Sequence, residues 1–207
     1  MRPWPRVLAF TDDAVASRDD FGVRAAAFAA AGPAAAIVAR LPAGTADRLA
    51  ALTGRVVALA APPMAAVWVT GRADVALACG AQGVVTRRDD LAPADVRRLA
   101  GDRLVRVASI HSRDEAERAM AGGAEALVAG MIWPSPTHPG RAAAGLDLIE
   151  QVAPLGAPVY AIGGVSPERA GAVRDAGAWG VAAIRAVWDA PDSYRAALTL
   201  LAPWQAT

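Results

Sequence analysis

The amino-acid sequence predicts a single (β/α)8 barrel, with residues 1–207 forming one domain. Short apolar runs typical of strands alternate with helical segments, eight such units can be counted, and a Gly-Ala pair recurs before three of the runs. The 207 residues, 55% of them hydrophobic, suffice for one well-filled core but not for two large domains. A doubly wound open sheet has the same alternation and is the alternative fold.

The eight strands are predicted at short β-like runs, each followed by an Ala/Leu/Arg segment with helical spacing. In chain order they are Val7–Thr11, Ala35–Ala39, Ala66–Thr70, Gly83–Thr86, Leu104–Ser109, Ala126–Gly130, Val159–Gly163 and Gly180–Ile184.

The segment between the second and third strands is ambiguous. The letters RVVALA resemble a strand, but four apolar residues have the 3-4-3 spacing of a helix: Leu49, Leu52, Val56 and Leu59. The sequence therefore predicts one helix over Thr45–Ala61, stopped by Pro62-Pro63.

A weak internal repeat supports the barrel. CGAQGVV from Cys79, GGAEALV from Gly122 and AGAWGVA from Ala176 each place a Gly-Ala pair before a strand. We expect the glycine of each pair to adopt the left-handed conformation just past a helix.

Composition argues against several kinds of function. With 21 basic and 20 acidic residues the formal charge is +1, so neither nucleic acid nor a membrane is an expected partner. All basic residues are Arg, which excludes Schiff-base chemistry on a lysine. No apolar run suits a membrane span or a secretory signal, so a cytoplasmic protein is expected. The single cysteine, Cys79, is expected to be a small buried side chain.

A phosphate site is predicted after the last two strands. In such barrels functional groups lie in the loops after the strands, and phosphate is commonly bound after strands seven and eight. Gly163, Gly164 and Val165 would bring backbone amides close to an anion, Ser166 would cap the next helix, and Ile184-Arg185 end strand eight. Two glycines in a turn also have a purely structural explanation, but the neighbouring Arg185 favours phosphate binding.

The long loop after strand six is a second candidate region, because long loops in compact domains often bind ligands. It begins at Gly130-Met131. Trp133 is either a wall for a ring or a side chain packed on the rim. Polar residues that could point inward are Ser135, Thr137, His138 and Arg141.

Two histidines and two carboxylate pairs complete the candidates. His111 and His138 both follow strands and suit proton transfer. His111 could instead neighbour a helix cap at Ser112, and His138 could be a solvated loop residue. Asp90 could bind Mg²⁺ together with phosphate oxygens, although a helix cap is favoured. The pair Asp12-Asp13 is equally ambiguous.

Several segments resemble the thiamine phosphate synthase/TenI family. They are VASIHS, ALVAGMIWPSPTHPG and APVYAIGGVSPERAGAVRDAGAWGVAAIRAV, which correspond to family motifs after strands five to eight. Weaker similarity lies in TGRADVALACGAQGVVTRRDDL.

The resemblance implies a barrel of thiamine biosynthesis that binds thiazole phosphate. Family synthases join hydroxymethylpyrimidine pyrophosphate to thiazole phosphate with Mg²⁺ and release pyrophosphate, whereas TenI members include a thiazole tautomerase. It assigns phosphate contacts to Gly163, Gly164 and Ile184-Arg185. It also places Ser135 and Thr137 in the substrate loop, and Asp90 at the later of two Mg²⁺ aspartates.

The chain departs from the family pattern at four places. The Q-x-R-x-K motif that binds pyrophosphate reads Val38, Arg40 and Pro42, so only Arg40 remains. The N-D pair reads Thr70-Gly71, which removes the first Mg²⁺ aspartate. Met131 stands where tautomerases have a histidine, and Arg185 replaces a serine, so that it either strengthens the phosphate contact or fills the pocket.

Four functions remain open from the sequence: a synthase, a TenI-like isomerase, a non-catalytic barrel that binds a phosphorylated metabolite, or another phosphate-binding barrel enzyme with a sugar or indole substrate. The oligomeric state is also open. Trp4, Trp188 and Trp204 are expected to be exposed, and they either mark a homodimer interface or pack across the barrel ends.

Overall fold

The computed structural model describes residues 4–60, 63–134 and 142–205. Within these residues, eight parallel strands form a closed barrel in chain order, with β8 paired to β1. The predicted barrel is therefore confirmed, and the open sheet is excluded. The strands are β1 (Val7–Phe10), β2 (Ala35–Ala39), β3 (Ala66–Thr70), β4 (Gly83–Thr86), β5 (Val105–Ile110), β6 (Ala126–Gly130), β7 (Val159–Ile162) and β8 (Gly180–Ala183).

Helices surround the barrel and cover its outer face. In the described residues they are α1 (Asp13–Ala16), α2 (Phe21–Ala29), α3 (Ala46–Ala60), α4 (Ala73–Cys79), α5 (Pro93–Ala100), α6 (Arg113–Ala121), α7 (Asp147–Val152), α8 (Pro167–Asp175), α9 (Arg185–Trp188) and α10 (Ser193–Leu201). The strands are buried on both faces, which explains why they are continuous apolar runs in the sequence. No helix in the described ranges is long and apolar enough to cross a membrane.

Aromatic side chains fill the amino-terminal end of the barrel. Trp68 of β3 meets Tyr160 of β7 edge-on, with ring centroids 6.2 Å apart, and Trp4 meets Trp68 at 6.1 Å. The Tyr160 hydroxyl donates to the Pro5 carbonyl at 2.8 Å, and Trp179 Nε1 donates to the same oxygen at 2.9 Å. The interior is a packed core, and functional groups are left to the opposite end, where the strands finish.

The predicted strand ends differ from the observed ones by one residue, for local reasons. Strand β7 ends before Gly163 because that residue has φ +96°. Strand β8 ends before Ile184, whose φ of −113° and ψ of −76° leave the extended region. The predicted Leu104–Ser109 is Val105–Ile110 in the structure, and Thr11 lies just past β1.

The ambiguous segment is a helix, as predicted. Helix α3 buries Leu49, Leu52 and Val56 against the barrel. The repeat prediction is also confirmed, because the three Gly-Ala glycines have left-handed φ values: +73° at Gly80, +89° at Gly123 and +96° at Gly177.

The prediction that Trp188 is exposed is wrong. The side chain is fully buried and packs on Phe21 and Phe28, with centroid distances of 5.5 and 6.0 Å. Its Nε1 donates to the Phe10 carbonyl at 2.7 Å, since the short helix α9 turns the indole inward. Cys79 is half-buried, with its sulfur 3.5 Å from the Ala50 carbonyl.

Candidate functional site

The predicted phosphate residues come together at the ends of β7 and β8. The pairing of Ile162 with Ala182 sets Gly163-Gly164 beside Ala183-Ile184. We call Gly163, Gly164, Val165, Ile184 and Arg185 the glycine corner. Gly163 and Gly164 have φ of +96° and +62°, a region that favours glycine. Their carbonyls accept hydrogen bonds from Trp133 N at 3.0 Å and Arg169 Nη1 at 2.7 Å.

The glycine corner also presents the two backbone amides of its glycines. Among the described residues, neither Gly163 N–H nor Gly164 N–H donates a hydrogen bond, and both residues are partly exposed. Successive backbone N–H groups in a turn can form a concave site for anions. The corner can therefore accept a phosphate group.

The same glycines also let the loop after β6 pack closely. A Cβ at Gly163 would lie 2.6 Å from Met131 Cγ, and one at Gly164 would lie 2.7 Å from Trp133 Cβ. The Arg169 guanidinium stacks on the Trp133 ring at 4.9 Å from its centroid, so Trp133 is packed on the rim. The structural explanation for the two glycines thus holds alongside the functional one.

The Arg185 side chain is paired with Asp12, at the end of the neighbouring strand β1. Its Nη2 donates to Asp12 Oδ2 at 2.7 Å, and the side chain remains 44% exposed. Asp12 follows β1, which lies on the side of β8 away from β7. The other Asp12 oxygen accepts from Val15 N at 2.8 Å and caps α1, so Asp12 is a helix cap and an ion-pair partner.

A second polar site lies at the ends of β2, β3 and β4. It is a cavity of about 210 Å³ that we call the arginine cavity. Its lining includes Arg40, Thr70, Gly71, Arg72, Arg87 and Asp90. The predicted pyrophosphate residue Arg40 and the predicted metal residue Asp90 therefore line one cavity. Sequence reasoning missed Arg72 and Arg87, although both closely follow strand ends.

Asp90 is bound by Arg87. Asp90 Oδ2 accepts from Arg87 N at 2.8 Å and Nε at 3.0 Å, and Oδ1 accepts from Nη2 at 3.0 Å. These hydrogen bonds raise the pKa of Arg87. The predicted helix cap is wrong, because α5 begins at Pro93 after an Ala92 N-cap and Asp90 turns back toward β4.

The residues around Asp90 do not fit a magnesium site. Mg²⁺ requires oxygen ligands in direct contact, at about 2.0–2.1 Å. Both Asp90 oxygens are already hydrogen-bonded to a guanidinium, and Gly71 supplies no second carboxylate. The described ranges contain no group of three His, Cys, Asp or Glu side chains placed to hold a metal.

His111 lies at the end of β5 and is bound by Glu115. Glu115 Oε2 accepts from His111 N at 2.7 Å and lies 3.1 Å from His111 Nδ1. Ser112 caps α6 by accepting from Glu115 N at 3.2 Å, so the structure shows the predicted capping neighbourhood. Burial raises the pKa of Glu115, but hydrogen bonds from Arg88 and His111 leave it lowered.

A catalytic role for His111 stays a prediction, although its side chain is 45% exposed at the barrel mouth. Four further predicted residues lie outside the described ranges: Ser135, Thr137, His138 and Arg141. The structure describes Gly130 and Met131 at the start of the same loop, where Met131 packs against Gly163.

Known proteins are similar to this chain along most of its length. A family model described as thiamine monophosphate synthase matches residues 7–187. The thiamine-phosphate synthase of Mycolicibacterium gilvum is 43% identical over 135 residues, 64% of this chain and 56% of the relative. That of Thermus thermophilus is 40% identical over 152 residues, 72% of this chain and 73% of the relative.

A solved structure agrees with these sequence matches. Thiamine phosphate pyrophosphorylase from Pyrococcus furiosus superposes with a TM-score of 0.82 and 28% identity, covering 97% of this chain and 95% of that one. The match to the first of these sequence relatives spans little more than half of that relative's length. The family model, the sequence relatives and the solved structure all identify thiamine phosphate synthases. The chain therefore belongs to the thiamine monophosphate synthase family.

Proposed function

We propose that the protein binds thiazole phosphate at the glycine corner and joins it to hydroxymethylpyrimidine pyrophosphate, releasing pyrophosphate. The observation that carries this is the pair of left-handed glycines whose amides have no acceptor among the described residues. Phosphate oxygens accept hydrogen bonds from such amides, and a neutral thiazole ring would extend toward the barrel mouth. Membership of the family supports the choice of ligand.

The two sites of the mouth suit the two substrates. The glycine corner lies after β7 and β8, and the arginine cavity lies after β2, β3 and β4. Guanidinium groups stabilise the negative charge of a departing pyrophosphate, which is the charge that develops in such a condensation. The loop after β1 lies between the two sites in the ring of strands.

A non-catalytic barrel that binds the same phosphate is the second candidate. Three observations favour it: Pro42 and Gly71 replace polar residues of the resembled motifs, and Asp90 is bound by Arg87. A TenI-like isomerase would need a proton donor other than Met131, because a thioether cannot transfer protons.

Calorimetry with two matched ligands tests the binding step. We expect thiazole phosphate to bind at least ten times more tightly than its dephosphorylated alcohol, because only the phosphate can use the amides. Changing the ligand is cleaner than replacing Gly164, since any side chain there would collide with Trp133. Equal affinity for the two ligands, or no heat from either, would contradict the proposed site.

Pyrophosphate release separates the two candidate functions. Release from the two substrates, above the rate without protein, supports the synthase. Binding of thiazole phosphate without release would leave the non-catalytic barrel in its place.

A further inference from the structure

The three guanidinium groups of the arginine cavity are not equally neutralised. Arg72 binds Asp74, with contacts of 2.8 and 2.5 Å, and Arg87 binds Asp90. Arg40 has no carboxylate oxygen within 4.0 Å among the described residues. Burial lowers the pKa of Arg40, and the positive charge of Arg87 lowers it further. The negative charges of Asp12 and Asp13, which lie farther away, raise its pKa by less. The cavity thus holds an unneutralised cation close to a second one.

A buried hydroxyl lines the same cavity. Thr70 ends β3 and is only 8% exposed, and its Oγ1 has no hydrogen-bond partner in the described part of the chain. Buried hydroxyl groups in folded proteins nearly always have a partner. A ligand oxygen would supply one only after a shift of the Thr70 side chain, because the hydroxyl oxygen has less than 1 Å² of exposed surface.

Gly71 supplies no carboxylate beside Asp90, and a side chain at this position would require the Asp90 side chain to move. A Cβ built on Gly71 would lie 2.9 Å from Asp90 Oδ1, and Gly71 has φ +75°. The Asp90 carboxylate therefore lies next to Gly71, and both of its oxygens accept hydrogen bonds from the Arg87 guanidinium. A divalent cation on Asp90 would have to displace a guanidinium that already contacts both oxygens, and would be repelled by its charge.

From these contacts we infer that the arginine cavity binds a phosphate or pyrophosphate group without a divalent cation, and that the Arg87 guanidinium takes the place of the metal on Asp90. Arg40 supplies the unpaired charge, and its guanidinium offers two parallel N–H donors that match two phosphate oxygens. The inference rests on the proposed function only for the choice of pyrophosphate as the probe.

Calorimetric titration of the full chain with pyrophosphate tests the metal independence. We expect the affinity in EDTA and in 5 mM Mg²⁺ to agree within about twofold after correction for the Mg²⁺–pyrophosphate complex. A tenfold or greater gain in affinity from Mg²⁺ would overturn the inference.

Arg40→Gln tests the location, and it should fold normally because its guanidinium has no protein partner among the described residues. We expect it to lose at least tenfold in pyrophosphate affinity in EDTA. Arg98→Gln is the matched control, since Arg98 is an exposed residue of α5 that pairs with Asp95, and it should bind as the unmodified chain does. Unchanged binding by Arg40→Gln would place pyrophosphate elsewhere and overturn the inference.

A parallel titration with thiazole phosphate separates this inference from the proposed function. If thiazole phosphate does not bind but Arg40→Gln still lowers the affinity for pyrophosphate, only the proposed function is contradicted. That result would support pyrophosphate binding in the arginine cavity.

Discussion

At the scale of single residues, Thr11 connects the end of β1 to the arginine cavity. Its hydroxyl donates to the Arg40 carbonyl and accepts from the Arg40 amide, both at 2.8 Å, and its own amide donates to Val38 at 3.1 Å. Thr11 is fully buried. A hydroxyl can donate and accept at once, so this one side chain satisfies both backbone groups of Arg40.

Thr11→Val should destabilise the protein by about 1–3 kcal/mol, because it keeps the shape and leaves two backbone groups of Arg40 without partners. Urea unfolding measures the change in the free energy of unfolding. Thr199→Val is the control, since the exposed Thr199 hydroxyl only donates to Arg195 within α10, and its effect should stay within about 0.5 kcal/mol. Equal effects of the two substitutions would show that the Thr11 hydroxyl is not structurally important.

Residue types at strand ends were predictable, but their partners were not. Arg40, Asp90 and Arg185 were all predicted to lie at the mouth, and they do. Arg87 and Asp90 are three residues apart, so their pairing is a local contact. The pairing of Arg185 with Asp12, 173 residues away in the sequence, depends instead on the closure of the barrel. Local sequence carries no signal for such a distant pair.

At the scale of elements, helices and strands follow from burial. Strands covered on both faces are mostly apolar, and α3 repeats its apolar residues on one side, so both patterns are visible in the sequence. The ends of elements depend on single contacts instead. Helix α5 starts two residues later than an Asp90 cap would require, because Asp90 accepts from Arg87.

Glycine substitutions in two elements separate backbone conformation from space. Gly54 lies within α3 and Gly32 begins a short 3-10 turn at φ +80°, and neither has an atom within 4 Å of an added Cβ. Gly54→Ala should stabilise the protein by about 0.5–1 kcal/mol. Gly32→Ala should destabilise it by about 1 kcal/mol, because left-handed backbone is costly for alanine.

Thermal unfolding of the two variants measures both changes. Since space is open at both positions, a shift of the same sign for the two would contradict the assigned backbone conformations.

At the scale of the whole molecule, barrel closure sets the two candidate sites around one mouth. Pairing of β8 with β1 brings Arg185 to Asp12, and β2 follows next in the ring with Arg40. The aromatic residues at the opposite end close the interior there. The fold class and the position of the glycine corner were predictable, because the alternation of strands with helices and the two glycines are visible in the local sequence. The arginine cavity depends on three consecutive strands closing side by side, which only the structure shows.

Binding of the ligand phosphate by the Gly163 and Gly164 amides underlies the proposed function. Amide nuclear magnetic resonance on labelled protein, titrated with thiazole phosphate, tests it most directly. We predict large saturable shifts of the Gly163 and Gly164 signals, and much smaller ones with the dephosphorylated alcohol. Binding that leaves both glycine signals in place while signals at other strand ends move would contradict the claim.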